Sequence, residues 1–235
     1  MLDQYFLVNS AAIERLGRYA ELNDKDTVLE IGPGLGFITE MLAKTCQKVI
    51  AVEKDVKLKP VLTGEFSAYP NVEFVFNDFL FTDISGFNKI VSNIPYSASA
   101  PILFKLLRHD FSCAVLFFQK EFGEKMLSKP GTKEYGRLSV MVQHYFDIEM
   151  KEVLNRVNFY PQPKMDSCIV VLKKKTGVAQ DKRFDDFVRE IFRYKNKSVR
   201  NAYKLAFGKE ISDERKVDSL TGADIESLFA QSAAI

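Results

Sequence analysis

The chain has 235 residues, of which 46% are hydrophobic and 27% charged, enough apolar material for a substantial core and too much for a disordered chain. Its apolar runs fall well short of the roughly 18 residues that a membrane-spanning helix needs, and Met1-Leu2-Asp3-Gln4 lacks the basic start and apolar core of a secretory signal, so a cytoplasmic protein is expected. The net charge of +2 is unevenly spread: residues 1–172 sum to −2 and the remainder to +4, with nine basic and three acidic side chains in residues 182–209. A phosphate-bearing partner suits that excess.

Cys46, Cys113 and Cys168 are odd in number and lie among apolar neighbours, which points to buried thiols rather than a disulfide framework. His109 and His144 have no metal-ligand spacing, so no metal is expected.

Gln4-Tyr5-Phe6-Leu7-Val8 opens the chain as an extended apolar segment, and helical spacing of Ala12, Ile13, Leu16 and Ala20 predicts a helix from Ser10 capped by Asn9 or Ser10. Thr27–Ile31 reads as a buried parallel strand, Gly32-Pro33-Gly34-Leu35-Gly36 as a tight turn, residues 37–44 as a helix and 48–53 as a second strand, which together make a βαβ unit. The alternation continues with a helix over 56–66, strands over 72–76 and 89–92, a helix over 99–108 and a strand over 114–118. An open, mostly parallel α/β sheet of Rossmann-like type follows. After a loop at 128–132 come a helix over 138–146 and two strands, 148–157 and 167–174, placed to pair antiparallel at a sheet edge. Lys173-Lys174-Lys175-Thr176-Gly177 marks the expected boundary between a first domain, 1–175, and a small all-helical domain, 176–235. In the latter, Phe184, Phe187, Val188, Ile191 and Phe192 form one apolar stripe, and Val199, Ala202, Tyr203, Ala206 and Phe207 another, with Gly208 as C-cap and Arg189, Arg193, Arg200 and Lys204 on the polar faces.

The glycines remove side chains where backbone must approach a ligand at the start of a helix. A nicotinamide-binding fingerprint would need glycine at position 37, where Phe37 stands, so another nucleoside cofactor is favoured. Glu53 ends the second strand where a carboxylate can accept from ribose hydroxyls, and Asp78 ends the third where it can accept from an exocyclic amine. Asn93-Ile94-Pro95-Tyr96 follows the fourth strand. An aromatic amine is a poor nucleophile because its lone pair is delocalised into the ring. Two acceptors, the Asn93 side-chain oxygen and the Ile94 carbonyl, would draw such a nitrogen toward tetrahedral geometry. Pro95 fixes the turn, Tyr96 offers a stacking face, and Phe159, held by Pro161 and Pro163, would close the other side of the base.

These residues, with Tyr135-Gly136-Arg137-Leu138-Ser139 and Phe159-Tyr160-Pro161-Gln162-Pro163-Lys164-Met165-Asp166-Ser167, resemble the ribosomal RNA adenine N6-dimethyltransferases over nearly the whole chain, its archaeal members above all. The resemblance implies a class I methyltransferase sheet and an S-adenosylmethionine-dependent enzyme that dimethylates two adjacent adenosines near the 3′ end of small-subunit rRNA. The implied setting is a pre-ribosomal particle during ribosome biogenesis, and the implied state a monomer without membrane or metal. It implies cofactor contacts from Gln4, Tyr5, Leu7, Gly32, Gly34, Glu53, Asp78 and Asn93, and contacts to the target adenine from Asn93, Ile94, Pro95, Tyr96 and Phe159. The first motif usually reads Gln-Asn-Phe-Leu; here Tyr5 stands in the Asn slot. The alternatives are an erythromycin-resistance-type methyltransferase of large-subunit rRNA and a non-catalytic ribosome-assembly factor.

Overall fold

The computed structural model describes residues 5–233. In chain order its elements are β1 (Phe6–Leu7), α1 (Ser10–Tyr19), β2 (Thr27–Ile31), α2 (Phe37–Thr45), β3 (Lys48–Glu53), α3 (Lys59–Glu65), β4 (Val72–Phe76), β5 (Lys89–Asn93), α4 (Ser99–Leu106) and β6 (Cys113–Gln119). There follow α5 (Lys120–Met126), α6 (Arg137–Tyr145), β7 (Phe146–Leu154), β8 (Phe159–Tyr160), β9 (Ser167–Lys174), α7 (Lys182–Phe192), α8 (Val199–Phe207) and α9 (Gly222–Ala233). The chain divides into two compact units. One is the chain through Gly123 with Glu149–Lys174, and the other is Glu124–Ile148 with the chain from Lys175 onward.

The first unit is built on a seven-stranded sheet of order β4-β3-β2-β5-β6-β9-β7, in which the neighbours from β4 to β6 are parallel and β9 runs antiparallel to β6. Both faces of its middle are covered, so Val28, Leu29, Ile90, Val91 and Val115 are fully buried, and these strands read as continuous rather than alternating apolar runs. β1 pairs antiparallel with β8 as a separate two-stranded ribbon, Phe6 opposite Tyr160 and Leu7 opposite Phe159. Cys46, Cys113 and Cys168 are free and buried.

The second unit is not continuous in the chain. Residues 124–148, expected with the sheet, pack instead with the later helices. The buried Tyr145 donates its hydroxyl to Asp185 Oδ1 at 2.9 Å, and Tyr135 donates to the Leu220 carbonyl at 2.9 Å. Phe187 stacks on Phe207 with centroids 5.2 Å apart. Two helices escape the sequence reading. α5 is seven residues long and carries Gly123, where a Cβ would lie 2.5 Å from Cys168 Sγ; close packing requires a residue that weakens the helical signal. α9 opens with Thr221 and Asp224 bonded reciprocally to each other's backbone amides, a capping box that the sequence does contain.

Candidate active site

The winding of the sheet reverses between β2, which leads outward to β3 and β4, and β5, which leads outward to β6. Open α/β sheets bind ligands at the carboxyl ends of strands beside such a reversal. Here the two strands pair backbone to backbone only at Val28 with Lys89 and Leu29 with Ile90. Beyond that the Ser92 hydroxyl spans them, donating to the Ile31 carbonyl at 2.5 Å and accepting from the Ile31 amide at 3.2 Å. The strand ends thus open into a cleft of about 600 Å³, walled by residues 5–7, Gly32-Pro33-Gly34, Glu53 and Asn93-Ile94-Pro95-Tyr96. A neighbouring lobe of similar size shares Gly32, Glu53 and Pro95 and adds Lys54, Asp78, Phe79 and Ser97.

The glycine turn is shaped for close approach. Gly34 has φ +58°, and a Cβ there would lie 2.6 Å from the Phe6 ring. Glu53 is 4% exposed; its Oε2 accepts from the Gly34 amide at 3.1 Å and its Oε1 from the Asp55 amide at 2.7 Å. Burial pushes its carboxyl up, against the pull of those two amides. Asp78 accepts from the Leu80 amide at 2.9 Å and pairs with Lys54 at 2.7 Å. Burial disfavours its charge, but the Lys54 ammonium and the amide outweigh it and hold the carboxyl below its usual range. Beneath them Glu30 takes the Thr39 hydroxyl at 2.6 Å, and burial, with Glu53 nearby, pushes its carboxyl up to about 8. It is therefore protonated at neutral pH.

Asn93 carries the most telling geometry. Its Nδ2 donates to the Tyr5 carbonyl at 2.6 Å, whereas its Oδ1 is buried and has no hydrogen-bond partner among the described residues. A carbonyl accepts only, so the amide must present its NH₂ to Tyr5 and its oxygen elsewhere. An unpaired buried acceptor costs about 1–3 kcal/mol, which a donor arriving in the cleft would offset. Tyr96, two residues on from Ile94, is 8% exposed; its hydroxyl shares a hydrogen bond with Ser167 Oγ, and the Tyr5 ring stacks on it with centroids 5.4 Å apart and planes at 29°.

The cleft thus gathers Tyr5, Leu7, Gly32, Gly34, Glu53, Asn93, Ile94, Pro95 and Tyr96, with Asp78 in the neighbouring lobe. Gln4 lies outside the described residues. Phe159 does not close the cleft. It is 1% exposed and meets Phe117 edge to face at 5.7 Å, because strand alternation in β8 turns it inward and Tyr160 outward. Missed by the sequence reading were Phe6, Phe37 and Lys54, each adjacent to a motif residue, and Ser167, which ends the quoted Phe159–Ser167 motif and anchors Tyr96.

Carboxylates at Glu53 and Asp78 suit a cationic nucleoside bearing hydroxyls and an amine, and the open Asn93 oxygen suits a second amine. Among the described residues no group of three His, Cys, Asp or Glu side chains could hold a metal ion.

Known proteins similar to this chain are rRNA methyltransferases or dimethyladenosine transferases by name. The probable ribosomal RNA small subunit methyltransferase A of Thermococcus gammatolerans is 44% identical over 203 residues, 86% of this chain and 73% of that protein. Among solved structures, a dimethyladenosine transferase from Plasmodium falciparum superposes with a TM-score of 0.86 at 28% identity, covering 97% of this chain and 98% of that one. The 23S rRNA methyltransferase ErmE gives 0.73 at 27% identity, covering 96% and 98%. The model of the family described as ribosomal RNA adenine dimethylase matches residues 1–231. The glycine turn, the acidic lobe and the Asn93 turn are therefore those of a member of a known family: this chain belongs to the ribosomal RNA adenine dimethylases.

Proposed function

We propose that the cleft binds S-adenosylmethionine and that the protein dimethylates the N6 amines of small-subunit rRNA adenosines, namely two adjacent ones near the 3′ end. The observation that carries this reading is the buried Asn93 oxygen left without a partner among the described residues, beside an aromatic plate. When bound, the cofactor supplies a methyl group on a sulfonium, taken up by the amine nitrogen as that nitrogen gives one of its own protons to water. Leu7, Gly32 and Gly34 make room for its backbone-facing parts, Glu53 accepts from its ribose hydroxyls, and Asp78 accepts from its adenine amine. Asn93 Oδ1 and the Ile94 carbonyl take the two hydrogens of the target amine, freeing its lone pair. Tyr96 stacks the target base where the Tyr5 ring now lies, which requires that ring to swing aside. No side-chain base is needed, because the alkylated nitrogen is acidic. The contribution to rate is the positioning of the amine against the methyl group.

The helical unit offers the rRNA its cations, and each of the expected four already has a carboxylate: Arg189 with Asp186 and Glu190, Arg193 with Glu190, Arg200 with Glu214, Lys204 with Glu210. Phosphates must compete with these partners, so the grip on bare RNA is modest and salt-sensitive. This supports a substrate presented on a pre-ribosomal particle.

The test is methyl incorporation from labelled S-adenosylmethionine into unmethylated small and large ribosomal subunits, with the modified nucleosides mapped. The expected result is dimethyladenosine at two neighbouring small-subunit positions. Label confined to the large subunit would contradict it.

A further inference from the structure

We infer that Tyr160 stacks on the nucleotide next to the target adenosine, so that the β1–β8 ribbon holds the RNA strand on either side of the extruded base. The inference rests on the function proposed above.

Its first support is where the protein leaves apolar surface in water. Of twelve large hydrophobic side chains exposed among the described residues, six belong to the segments that wall the cleft or continue from them: Leu35 and Phe37 from the glycine turn, and Val8, Val157, Tyr160 and Met165 from the ribbon and its flanks. Such clustering marks an interaction surface. Tyr160 is the most exposed of the six, at 71%. Its backbone is firmly held, since it pairs with Phe6, a wall of the cleft, while Phe159 beside it is locked in the core and the Val8 amide donates to the Asn158 carbonyl at 3.0 Å. A rigidly mounted, outward-facing ring one strand away from the cleft is a platform for a flat, unstacked partner.

Charge identifies that partner. Neither Arg156 nor Lys164, which flank Tyr160 in the chain, has an ion-pair partner among the described residues, whereas Arg15, Lys48, Lys54, Lys89, Lys151, Lys173 and Lys174 of the same unit each have one. Arg18, Lys25, Lys57, Lys59 and Arg108 share that unpaired state but lie away from Tyr160 in the chain. The nearest acid in sequence, Asp166, spends its Oδ1 on the Arg156 backbone amide at 3.2 Å. Two cations without ion pairs, four residues before and four after an exposed ring in the chain, form the pattern that binds single-stranded nucleic acid, phosphates to the cations and a base to the ring. A protein partner would need a larger continuous apolar face, and a lipid surface a broader cationic one. Extruding a base unstacks both of its neighbours. Each of the two proposed target adenosines has the other beside it, so a purine covers Tyr160 for the target whose neighbour lies on the Tyr160 side.

The test is a two-by-two cycle on small subunits assembled from rRNA transcripts, in which the nucleotide on one side or the other of the methylated adenosine is changed to uridine. Each substrate is assayed with wild type, Tyr160→Ala and Tyr160→Phe. Tyr160→Ala is expected to raise KM three- to tenfold, and a uridine neighbour to raise wild-type KM to a similar degree. Both changes together should be no worse than either alone. Tyr160→Phe should restore the wild-type value, and the side on which coupling occurs fixes the strand direction. Multiplicative effects on both sides, or an unmoved KM in Tyr160→Ala, would overturn the inference while leaving the catalytic reading standing. A wild type that labels no small-subunit adenosine would overturn the catalytic reading, and this inference with it.

Discussion

The two ends of β2 and β5 treat buried polar groups in opposite ways. At the amino ends Asp26 takes Asn88 Nδ2 at 2.8 Å, Lys89 Nζ at 3.0 Å and the Asn23 amide at 2.8 Å. Lys89 also donates to the Glu21 carbonyl at 2.7 Å, and Asn88 Oδ1 accepts the Thr27 amide at 2.8 Å. Burial disfavours the Asp26 charge, but these bonds prevail and hold its carboxyl below the usual range. At the carboxyl ends, four residues on from Asp26 and from Lys89, Glu30 is held protonated and the Asn93 oxygen has no partner among the described residues. The same sheet therefore closes its hydrogen bonds at its amino ends and leaves one open at its carboxyl ends, where the proposed target amine would supply the missing half.

This contrast can be broken from either end. The largest effect is expected from Asn93→Ala, which should lower kcat about 10²–10³-fold at saturating S-adenosylmethionine, the loss typical of a removed transition-state hydrogen bond. Its melting temperature should fall only modestly, because the oxygen has no partner among the described residues and the one bond lost is that from Nδ2 to the Tyr5 carbonyl. Lys89→Met should do the reverse. It strands the Asp26 carboxylate in the interior, so denaturant unfolding should register a loss of about 3–5 kcal/mol, with methylation per folded molecule retained.

Glu30 sharpens the comparison through pH. Its folded pKa, about 8, lies above the unfolded value of 4.5, so between those values the native state binds a proton that the unfolded chain has released. Its contribution to stability therefore falls as pH rises through that window and levels off above it. Unfolding series at several pH values should show the advantage of Glu30→Gln over wild type growing across the same range. The smallest effect is expected from Lys54→Ala. Its pair with Asp78 has a largely exposed ammonium, worth at most about 1 kcal/mol by denaturant titration.

What was legible in the sequence follows the same division. The strands and the glycine turn could be read because burial on both faces leaves continuous apolar runs, and because Gly34 is demanded by the nearness of Phe6. The Asn93 turn was legible as chemistry, since a side-chain amide and a proline-fixed carbonyl at a strand end have few structural uses. Phe159 misled. An aromatic beside two prolines says nothing about which way its strand alternates, and the pairing with β1 that turns it inward is a contact across some 150 residues. The membership of residues 124–148 in the helical unit was hidden for a like reason. Tyr135 and Tyr145 find their partners at Leu220 and Asp185, and no local periodicity announces such distant bonds.

The central claim is that the open Asn93 oxygen receives the amine of the target base. The most direct measurement is the affinity of wild type and Asn93→Ala for substrate carrying either adenosine or purine riboside, which lacks the amine, at the methylated position. If the claim holds, deleting the amine weakens binding to wild type about tenfold more than to Asn93→Ala, the worth of the one hydrogen bond to the Asn93 oxygen, because the bond to the Ile94 carbonyl is lost in both. An equal loss in both proteins would mean that the amine is read elsewhere, and would contradict the account.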